Sequence, residues 1–355
     1  MNKRIAWIDV ARGIGIILVV YGHVARGLLN AGITGPKSPL SSLDYTIYSF
    51  HMPLFLFMAG LNVRRSLSKG AGRFFKSKIL TIAYPYLLWS FIQGSLEVAL
   101  ASHLNNPVSR YDVMNIPWRP IKQFWFFFDL FLFHMVAIFT ANRRAISALL
   151  FVLAFAFGFF IGPRHVWYTI YLWAFVFYEA GILLDVRTLE VVQHVKPLAL
   201  PVLGALFAVA VYYSGPLCGY DTQSKYALPA SVLGISFTIA LCKLIVDWSA
   251  SLTRLFTEFG VASTTIYILH VLAGAGTRVI LRGMGVHNVA VQLSLGVLLG
   301  LGVPMLIYYA AVRLGIIAYL GLGIQPRPAN DPASRKPPGT PMDGAGLASP
   351  VTRAG

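Results

Sequence analysis

Apolar residues are distributed along the chain in ten long runs, each close to the length that a helix needs to cross a bilayer. Short segments that carry most of the Lys and Arg residues separate these runs. The predicted spans are approximately 8–29, 44–63, 78–102, 123–141, 145–162, 166–185, 196–214, 226–247, 262–282 and 289–320. The pattern therefore predicts an all-α polytopic membrane protein with about ten transmembrane helices.

The Lys and Arg residues are distributed unevenly between the two sides that the predicted spans define. An even number of spans places both termini on one side. That side carries 18 of the 29 cationic residues, whereas the opposite side carries nine. Because short cytoplasmic loops are richer in Lys and Arg than external loops, the distribution predicts that both termini are cytoplasmic.

The composition supports a membrane protein. Of the 355 residues, 57% are hydrophobic and 12% are charged, which excludes a soluble domain of this size. The net charge of +16 does not predict a nucleic-acid partner, because the cations lie mainly in short loops, where they specify topology. Residues 1–322 are predicted to form one transmembrane domain, and residues 323–355, rich in Pro and Gly, a disordered cytoplasmic tail. Cys218 and Cys242 predict no disulfide framework.

The first apolar run carries the clearest candidate site. It contains Asp9, Arg12 and His23, and ionisable groups inside a membrane helix are costly and usually functional. At 3.6 residues per turn, His23 returns to almost the same helix face as Arg12, about 16 Å further along. Asp9 lies one turn before Arg12 and is expected to pair with it. The alternative interpretation is a structural ion pair and a hydrogen-bonded histidine.

Two further histidines lie within predicted spans. His51 is followed by Pro53, and we expect it at a depth in the membrane similar to that of His23. It is interpreted either as a contact to the substrate or as a residue packed beside the Pro53 kink. His270 is interpreted either as a similar contact or as a buried, hydrogen-bonded histidine. Neither has a Cys, Asp or Glu at metal-ligand spacing, so no metal site is expected.

A basic loop and an aromatic run complete the candidates. The loop 64–78 holds six cations in fifteen residues, among them Arg73, Lys76 and Lys78. Such a cluster binds phosphates, although it also serves to fix topology or to contact anionic lipids. Trp125 begins an aromatic run that is typical of a membrane interface, and it is a candidate substrate contact.

Over residues 5–320 the chain resembles the membrane-bound acyltransferase family 3, in its fucose 4-O-acetylase-like and nodulation-factor O-acetylase-like branch. Its most specific mark is an arginine and a histidine separated by ten residues on the first helix. The motifs are Ile8-Asp9-x-x-Arg12-Gly13 with His23, Ser49 to Phe55 with Gly60, Phe74-x-Lys76-x-Lys78 with Pro85-Tyr86, Trp125-Phe126, Phe177-Tyr178-x-x-Gly181, and Gly260-x-x-Ser263-x-x-Ile266-Tyr267-x-x-His270. The chain departs from the family at Ala59, where serine is common, and at Lys76 and Lys78, where arginines are common.

This resemblance implies an O-acyltransferase. The basic loops predicted on the cytoplasmic side fit a location in a bacterial inner membrane. The donor would be cytoplasmic acetyl-CoA or another acyl-CoA, and the acceptor a hydroxyl of a cell-surface or exported glycan or a lipid-linked sugar. His23 would be the essential histidine and Arg12 its partner in the motif. No metal cofactor is implied.

The spacing along the first helix suggests a division of labour between its two ends. Arg12, with Arg73, Lys76 and Lys78, would hold the phosphate or pantetheine part of the donor near the inner face. His23, in the outer half, would take the proton from the sugar hydroxyl. No Ser or Cys is paired with a base in the sequence, which favours direct transfer over a covalent enzyme intermediate. An acyl-histidine intermediate is the alternative.

The competing interpretation is a proton-coupled transporter of a small solute or glycan precursor. Pro-broken helices with buried His, Asp and Glu are compatible with such a carrier. The sequence shows no paired halves with matching broken helices, which disfavours it. A channel lined by both Arg12 and His23 would favour acyl transfer, and a midplane site between two similar halves would favour transport.

Overall fold

The computed structural model describes residues 5–35, 38–103, 107–160, 172–188 and 195–325. In these ranges the chain forms α-helices with short 3-10 and π-helical turns, and no strand. The first eight helices are α1 (Ala6–Asn30), α2 (Pro39–Tyr48), α3 (His51–Leu61), α4 (Val63–Leu67), α5 (Ala71–Lys78), α6 (Tyr84–Ala99), α7 (Arg110–Met114) and α8 (Trp125–Thr140). The others are α9 (Arg144–Phe160), α10 (Leu172–Thr188), α11 (Ala199–Leu217), α12 (Leu228–Trp248), α13 (Ala250–Val261), α14 (Ser263–Gly283) and α15 (Val289–Arg313).

Eight segments of the described chain are long and apolar enough to cross a membrane. They are Ala6–Asn30, Leu40–Leu67, Ala71–Ala99, Lys122–Thr140, Ala199–Leu217, Lys225–Trp248, Ser263–Gly283 and Val289–Arg313. The predicted spans 145–162 and 166–185 correspond to α9 and α10, each of which has 17 residues. Residues 161–171, which separate these two helices, lie outside the described residues. The all-α, multi-pass prediction is therefore confirmed, whereas the count of ten spans and the orientation of the termini stay predictions.

The described residues Ile5–Gln325 form one compact unit. Most of the tail predicted at 323–355 lies outside the described residues, which end at Gln325.

Helix α1 occupies the centre of the bundle and packs against α3, α12, α13, α14 and α15. Ile16, Val19 and Val20 on α1 are fully buried by these neighbours. Because the helix is covered on several sides by protein, its polar residues face other helices and cavities and not mainly lipid. Because of this placement, the polar residues on one face of α1 can form a site together with residues of several neighbouring helices.

Two helix pairs approach so closely that only glycine fits between their backbones. A Cβ at Gly60 of α3 would overlap the carbonyl oxygen of Tyr178 on α10, and a Cβ at Gly181 of α10 would overlap that of Phe57. Gly13 on α1 lies in the same way against the backbone of α13. Small residues permit this close packing in membrane proteins, where van der Waals contact replaces the hydrophobic effect between helices.

We expect Gly60→Ala to lower the free energy of unfolding by about 1–3 kcal/mol, because the added methyl group pushes α3 away from α10. Thermal unfolding of the purified protein in detergent, followed by size-exclusion chromatography, would measure the loss. Gly72→Ala is the matched control, since a Cβ there meets nothing within 4 Å. Equal stability of the two variants would contradict the tight α3–α10 contact.

The segment that precedes α8 is fastened at both ends. Ser109 begins α7 with a capping box in which its hydroxyl and N–H donate to the Asp112 carboxylate. These hydrogen bonds hold the pKa of Asp112 below its ordinary value. At the other end, the Tyr267 hydroxyl donates to the carbonyl oxygen of Gln123. The start of α8, with Gln123 and Trp125, is thereby held against α14.

The second membrane segment breaks immediately before His51. Phe50, with φ −131° and ψ −25°, separates α2 from α3. The Ser231 hydroxyl donates to the Ser49 carbonyl oxygen at 2.5 Å, which satisfies a carbonyl freed by the break. Pro53 lies in the first turn of α3, where its missing N–H removes no helical hydrogen bond. The break places the rings of Tyr48 and His51 side by side inside the bundle.

Candidate functional site

The N-terminal part of α1 carries a charged pair. The Arg12 guanidinium lies 3.6 Å from the buried Asp9 carboxylate, one helical turn away, as the spacing predicted. The Arg12 side chain remains 38% exposed. Its charge also interacts with that of Lys78, at the end of α5. Arg12 and Lys78 carry two positive charges, and Asp9 carries one negative charge. These three groups therefore leave net positive charge at this end of the helix.

The basic loop is only partly assembled around this pair. Lys78 is partly buried, and its ammonium lies 5.0 Å from the centroid of the Phe74 ring. Arg73 and Lys76 are exposed on α5. Of the three cations predicted to hold phosphate, the structure therefore brings Lys78 to Arg12 and leaves the other two on the surface.

His23 lies at the centre of a cluster of rings contributed by three helices. Its ring centroid is 5.0 Å from that of His270 on α14 and 6.2 Å from that of Tyr48 on α2. Tyr48 is in turn 4.5 Å from His51. His23 is half-buried, and in the described residues no hydrogen bond engages its ring nitrogens. The imidazole is thus fixed by packing, with its nitrogens available to a ligand.

The two neighbouring histidines are held in one tautomer. Nδ1 of His270 is 3.0 Å from the Ile266 carbonyl oxygen, and Nδ1 of His51 is 2.8 Å from that of Ile47. A carbonyl only accepts, so Nδ1 donates in both rings and Nε2 carries a lone pair. Both Nε2 atoms are buried without a hydrogen-bond partner in the described structure. The cluster therefore presents two basic nitrogens beside His23.

Arg26, one turn beyond His23, is bound firmly. Its guanidinium donates to both oxygens of Asp44, at 2.8 and 3.0 Å, and lies 3.1 Å above the centroid of the Tyr48 ring. Bidentate pairing and stacking on an aromatic face are both strong contacts for arginine. They lock the Tyr48 ring next to His23.

A cavity of about 310 Å³ opens beside His23 and is lined by a mixture of aromatic and polar groups. Trp125, Trp173 and Tyr267 supply aromatic surface, and Gln123 and Ser231 supply hydrogen-bonding groups. The Trp173 indole donates to the Gln223 carbonyl oxygen at 2.8 Å, which holds the 222–224 segment over the cavity. Flat rings combined with amides and hydroxyls suit a polyhydroxylated ligand, whose C–H faces stack and whose hydroxyls hydrogen-bond.

A second cavity, of about 700 Å³, meets the first at His23, Arg26 and Lys122. It lies between α1, α6 and α14 and is mostly apolar, with Val24, Leu28 and Leu96 among its lining. His23 is thus one of three side chains at which a polar and an apolar cavity join.

The predicted channel past both Arg12 and His23 is not present in either cavity. Arg12 is not among the residues that line them. Ile16 and Val19 lie between Arg12 and His23 on the same helix face, and both are fully buried. Packed apolar side chains therefore separate the charged end of α1 from the imidazole in this conformation.

The structure places the predicted residues in two groups. His23, His270 and Trp125 line the cavities, with His51 packed behind Tyr48, whereas Asp9, Arg12 and Lys78 meet at the other end of α1. In the described part of the chain, no group of three or more His, Cys, Asp or Glu side chains is arranged to hold a metal ion.

Sequence reasoning missed Arg26, Asp44, Tyr48 and Gln123. A signal for the first pair was present, because Arg26 ends the first predicted span and Asp44 begins the next, so a short connection brings opposite charges together. No comparable signal identifies Tyr48 or Gln123, whose positions depend on packing between distant segments.

Comparison with known proteins is consistent with these features. A family model described as an acyltransferase domain matches residues 5–309. The nodulation protein NolL of Mesorhizobium japonicum is 24% identical over 359 residues, which cover 92% of this chain and 92% of that protein. No solved structure matches.

Proposed function

The chain belongs to the acyltransferase 3 family, as its sequence motifs indicated, and on this premise we propose which group it transfers and to what. The proposed reaction moves an acyl group, acetyl in the simplest case, from cytoplasmic acyl-CoA to a hydroxyl of a cell-surface or exported glycan. The proposed location is a bacterial inner membrane. The observation that carries the proposal is the position of His23, between a polar cavity suited to a sugar and a second cavity.

The proposed chemistry is one direct transfer. A ring nitrogen of His23 takes the proton of the sugar hydroxyl while the hydroxyl oxygen attacks the thioester carbonyl carbon. The new C–O bond forms as the C–S bond breaks, and coenzyme A leaves as the thiol after receiving a proton. Imidazole is suited to this step because it exchanges protons near neutral pH.

His270 and His51 are proposed as positioning residues. We propose that Nε2 of His270, whose ring centroid lies 5.0 Å from that of His23, accepts an N–H of His23 and so leaves the other nitrogen of His23 unprotonated. His51 packs against Tyr48, and Arg26 stacks on the opposite side of the cluster. Together these contacts would hold the imidazole in one orientation without contacting the substrate.

The donor is proposed to bind at the other end of α1. Its phosphates carry several negative charges, and Arg12 and Lys78 supply positive charge there, with Arg73 and Lys76 nearby in sequence. The thioester is at the far end of a long flexible arm and must reach His23, about 16 Å along the helix. Since Ile16 and Val19 are packed between the two ends, donor binding is proposed to displace side chains there.

The test is acyl transfer in isolated membranes. Membranes with and without the protein would be incubated with isotopically labelled acetyl-CoA, and surface glycans compared by mass for a two-carbon acyl increment that mild base removes. Label in an O-ester only when the protein is present would support the proposal. Uptake of a solute without esterification would instead support the proton-coupled transporter, which family membership disfavours.

We expect Trp125→Ala to lower kcat/KM for the acceptor about tenfold, because the cavity loses a stacking face, while KM for the donor is unchanged. Trp125→Phe should retain most of the activity. Trp118→Ala is the control, since Trp118 lies in the same loop region and is 70% exposed. Initial rates at varied acceptor concentration measure the effect. An unchanged acceptor KM in Trp125→Ala would show that the sugar does not bind in this cavity.

A further inference from the structure

The 700 Å³ cavity is open at its side to the surface that would face lipid. Leu96, Leu100, Val279 and Ile280 line it and are each at least 40% exposed, Ile280 to 64%. Exposed aliphatic side chains on membrane helices face hydrocarbon. An apolar chain can therefore pass from the bilayer into this cavity and reach His23 without crossing water.

Three cations line the same cavity, and two of them have acidic partners among the described residues. Arg26 is paired with Asp44, and Lys122 lies 3.7 Å from Glu97. Arg278 is partly buried, and in the described residues no hydrogen bond or ion pair engages its guanidinium. The cavity therefore carries one positive charge that no described acidic side chain neutralises.

The Arg278 guanidinium is directed at α1. A Cβ at Gly27 would overlap it, so the charge lies against the backbone of α1 one turn beyond His23. Arg278 lines the cavity together with Val279 and Ile280. An arginine that served only to mark the membrane interface would extend towards water.

A buried polar atom also lines this cavity without a partner in the described structure. Gln292 is 2% exposed, and its Nε2 donates to the Val286 carbonyl oxygen at 2.6 Å, but its Oε1 has no hydrogen bond there. Its side chain lines the cavity beside Arg278. Buried polar atoms without partners are rare in folded proteins and indicate a ligand or water.

We propose that this cavity binds the lipid part of the acceptor, so that the acceptor is a sugar joined to an apolar chain through a phosphate group. The chain lies among the aliphatic side chains, the phosphate contacts Arg278, and the sugar enters the 310 Å³ cavity at His23. Gln292 Oε1 accepts a hydrogen bond from a water molecule that bridges it to the phosphate. This proposal rests on the proposed acyl transfer, and it deepens it by naming the acceptor class.

A binding experiment tests the phosphate and chain without needing catalysis. The full-length protein in detergent would be incubated with a long-chain polyprenyl diphosphate, and retained ligand measured by native mass spectrometry. We expect retention by the wild type, about tenfold weaker binding by Arg278→Gln, and no change in Arg282→Gln, since Arg282 is exposed one turn on and does not line the cavity.

Three further probes distinguish the possible occupants. Polyprenol without phosphate and inorganic pyrophosphate should each bind more weakly than the polyprenyl diphosphate. Phosphatidylglycerol at the same concentration should not displace it. Displacement by phosphatidylglycerol would overturn the proposal and assign the cavity to bilayer lipid. Equal binding by wild type and Arg278→Gln would show that the phosphate does not contact Arg278.

A cavity-filling variant adds a catalytic measurement. Gly276 lines the cavity and a Cβ there meets nothing within 4 Å, so Gly276→Leu fills space without a backbone clash. We expect it to lower transfer to a polyprenyl-diphosphate-linked sugar while transfer to the same sugar as a soluble methyl glycoside is unchanged. Gly283→Leu, at the end of the same helix and also unobstructed, is the control.

The outcomes separate the two proposals. If wild type acylates both sugars and Gly276→Leu affects neither, the lipid site is wrong and the acyl transfer stands. If no labelled acyl group reaches any sugar while polyprenyl diphosphate binds through Arg278, the proposed reaction fails and the lipid site stands.

Discussion

Replacing His23 by Ala is expected to lower acyl transfer by about 10³-fold while the protein still folds. General-base catalysis contributes factors of about 10² to 10⁴, and no other side chain joins both cavities with ring nitrogens that lack a hydrogen bond in the described structure. His23 is half-buried and lines both cavities, so part of its surface makes no packing contact that truncation could remove. Transfer of labelled acetyl groups by purified variant protein measures the loss.

Two controls make this result interpretable. His287→Ala changes an exposed histidine that lines neither cavity, and it should retain full activity. His23→Gln preserves much of the side-chain volume but cannot act as a base, and it should be as inactive as His23→Ala. Activity of His23→Gln near the wild-type level would mean that the side chain only shapes the cavity and that another group takes the proton.

The sequence predicted the part of the site that covalent spacing determines. Residues 12 and 23 on one helix must lie on one face, and Asp9 must lie one turn from Arg12, so these relations held once α1 was recognised as a helix. The glycines of the motifs were visible in the sequence too. The reason for glycine at these positions was not visible, because Gly60 and Gly181 are required only by the close contact between α3 and α10.

The remainder of the site depends on contacts between distant segments. His270 is far from His23 in sequence, and only the packing of α14 on α1 brings their rings to 5.0 Å. Hydrophobic periodicity shows which segments are buried in protein or lipid but not which helices are neighbours. For the same reason the sequence placed Arg278 only among the cations of the external side, whereas the structure places it beside a cavity, with no acidic partner among the described residues.

The separation of Arg12 from His23 determines the order in which the proposed steps can occur. Fully buried Ile16 and Val19 separate the donor end from the imidazole. In the proposed reaction, the thioester would therefore reach His23 only after these contacts open. Water on one side of the membrane is kept from the acyl group by the same packing, which would limit wasteful hydrolysis.

Replacing Arg12 by Gln is expected to lower kcat/KM for acetyl-CoA about a hundredfold, mainly through KM, with a much smaller change in kcat. Arginine binds phosphate through two parallel charge-assisted hydrogen bonds, and losing both costs about two powers of ten in affinity. Arg12 is separated from His23, so its removal leaves the proton transfer intact. Initial rates at varied acetyl-CoA concentration separate the two parameters, and Arg313→Gln, which changes an exposed arginine, is the charge control.

A structural role for Arg12 predicts a different pattern. Asp9 is 5% exposed, so removing Arg12 weakens the compensation of a buried carboxylate and could by itself lower activity through folding. The double variant Asp9→Asn with Arg12→Gln removes that penalty. If donor binding is the cause, the double variant folds well and keeps the high KM for acetyl-CoA. Recovery of the wild-type KM in the double variant would show that Arg12 serves only to neutralise Asp9, and the donor would then have to bind elsewhere.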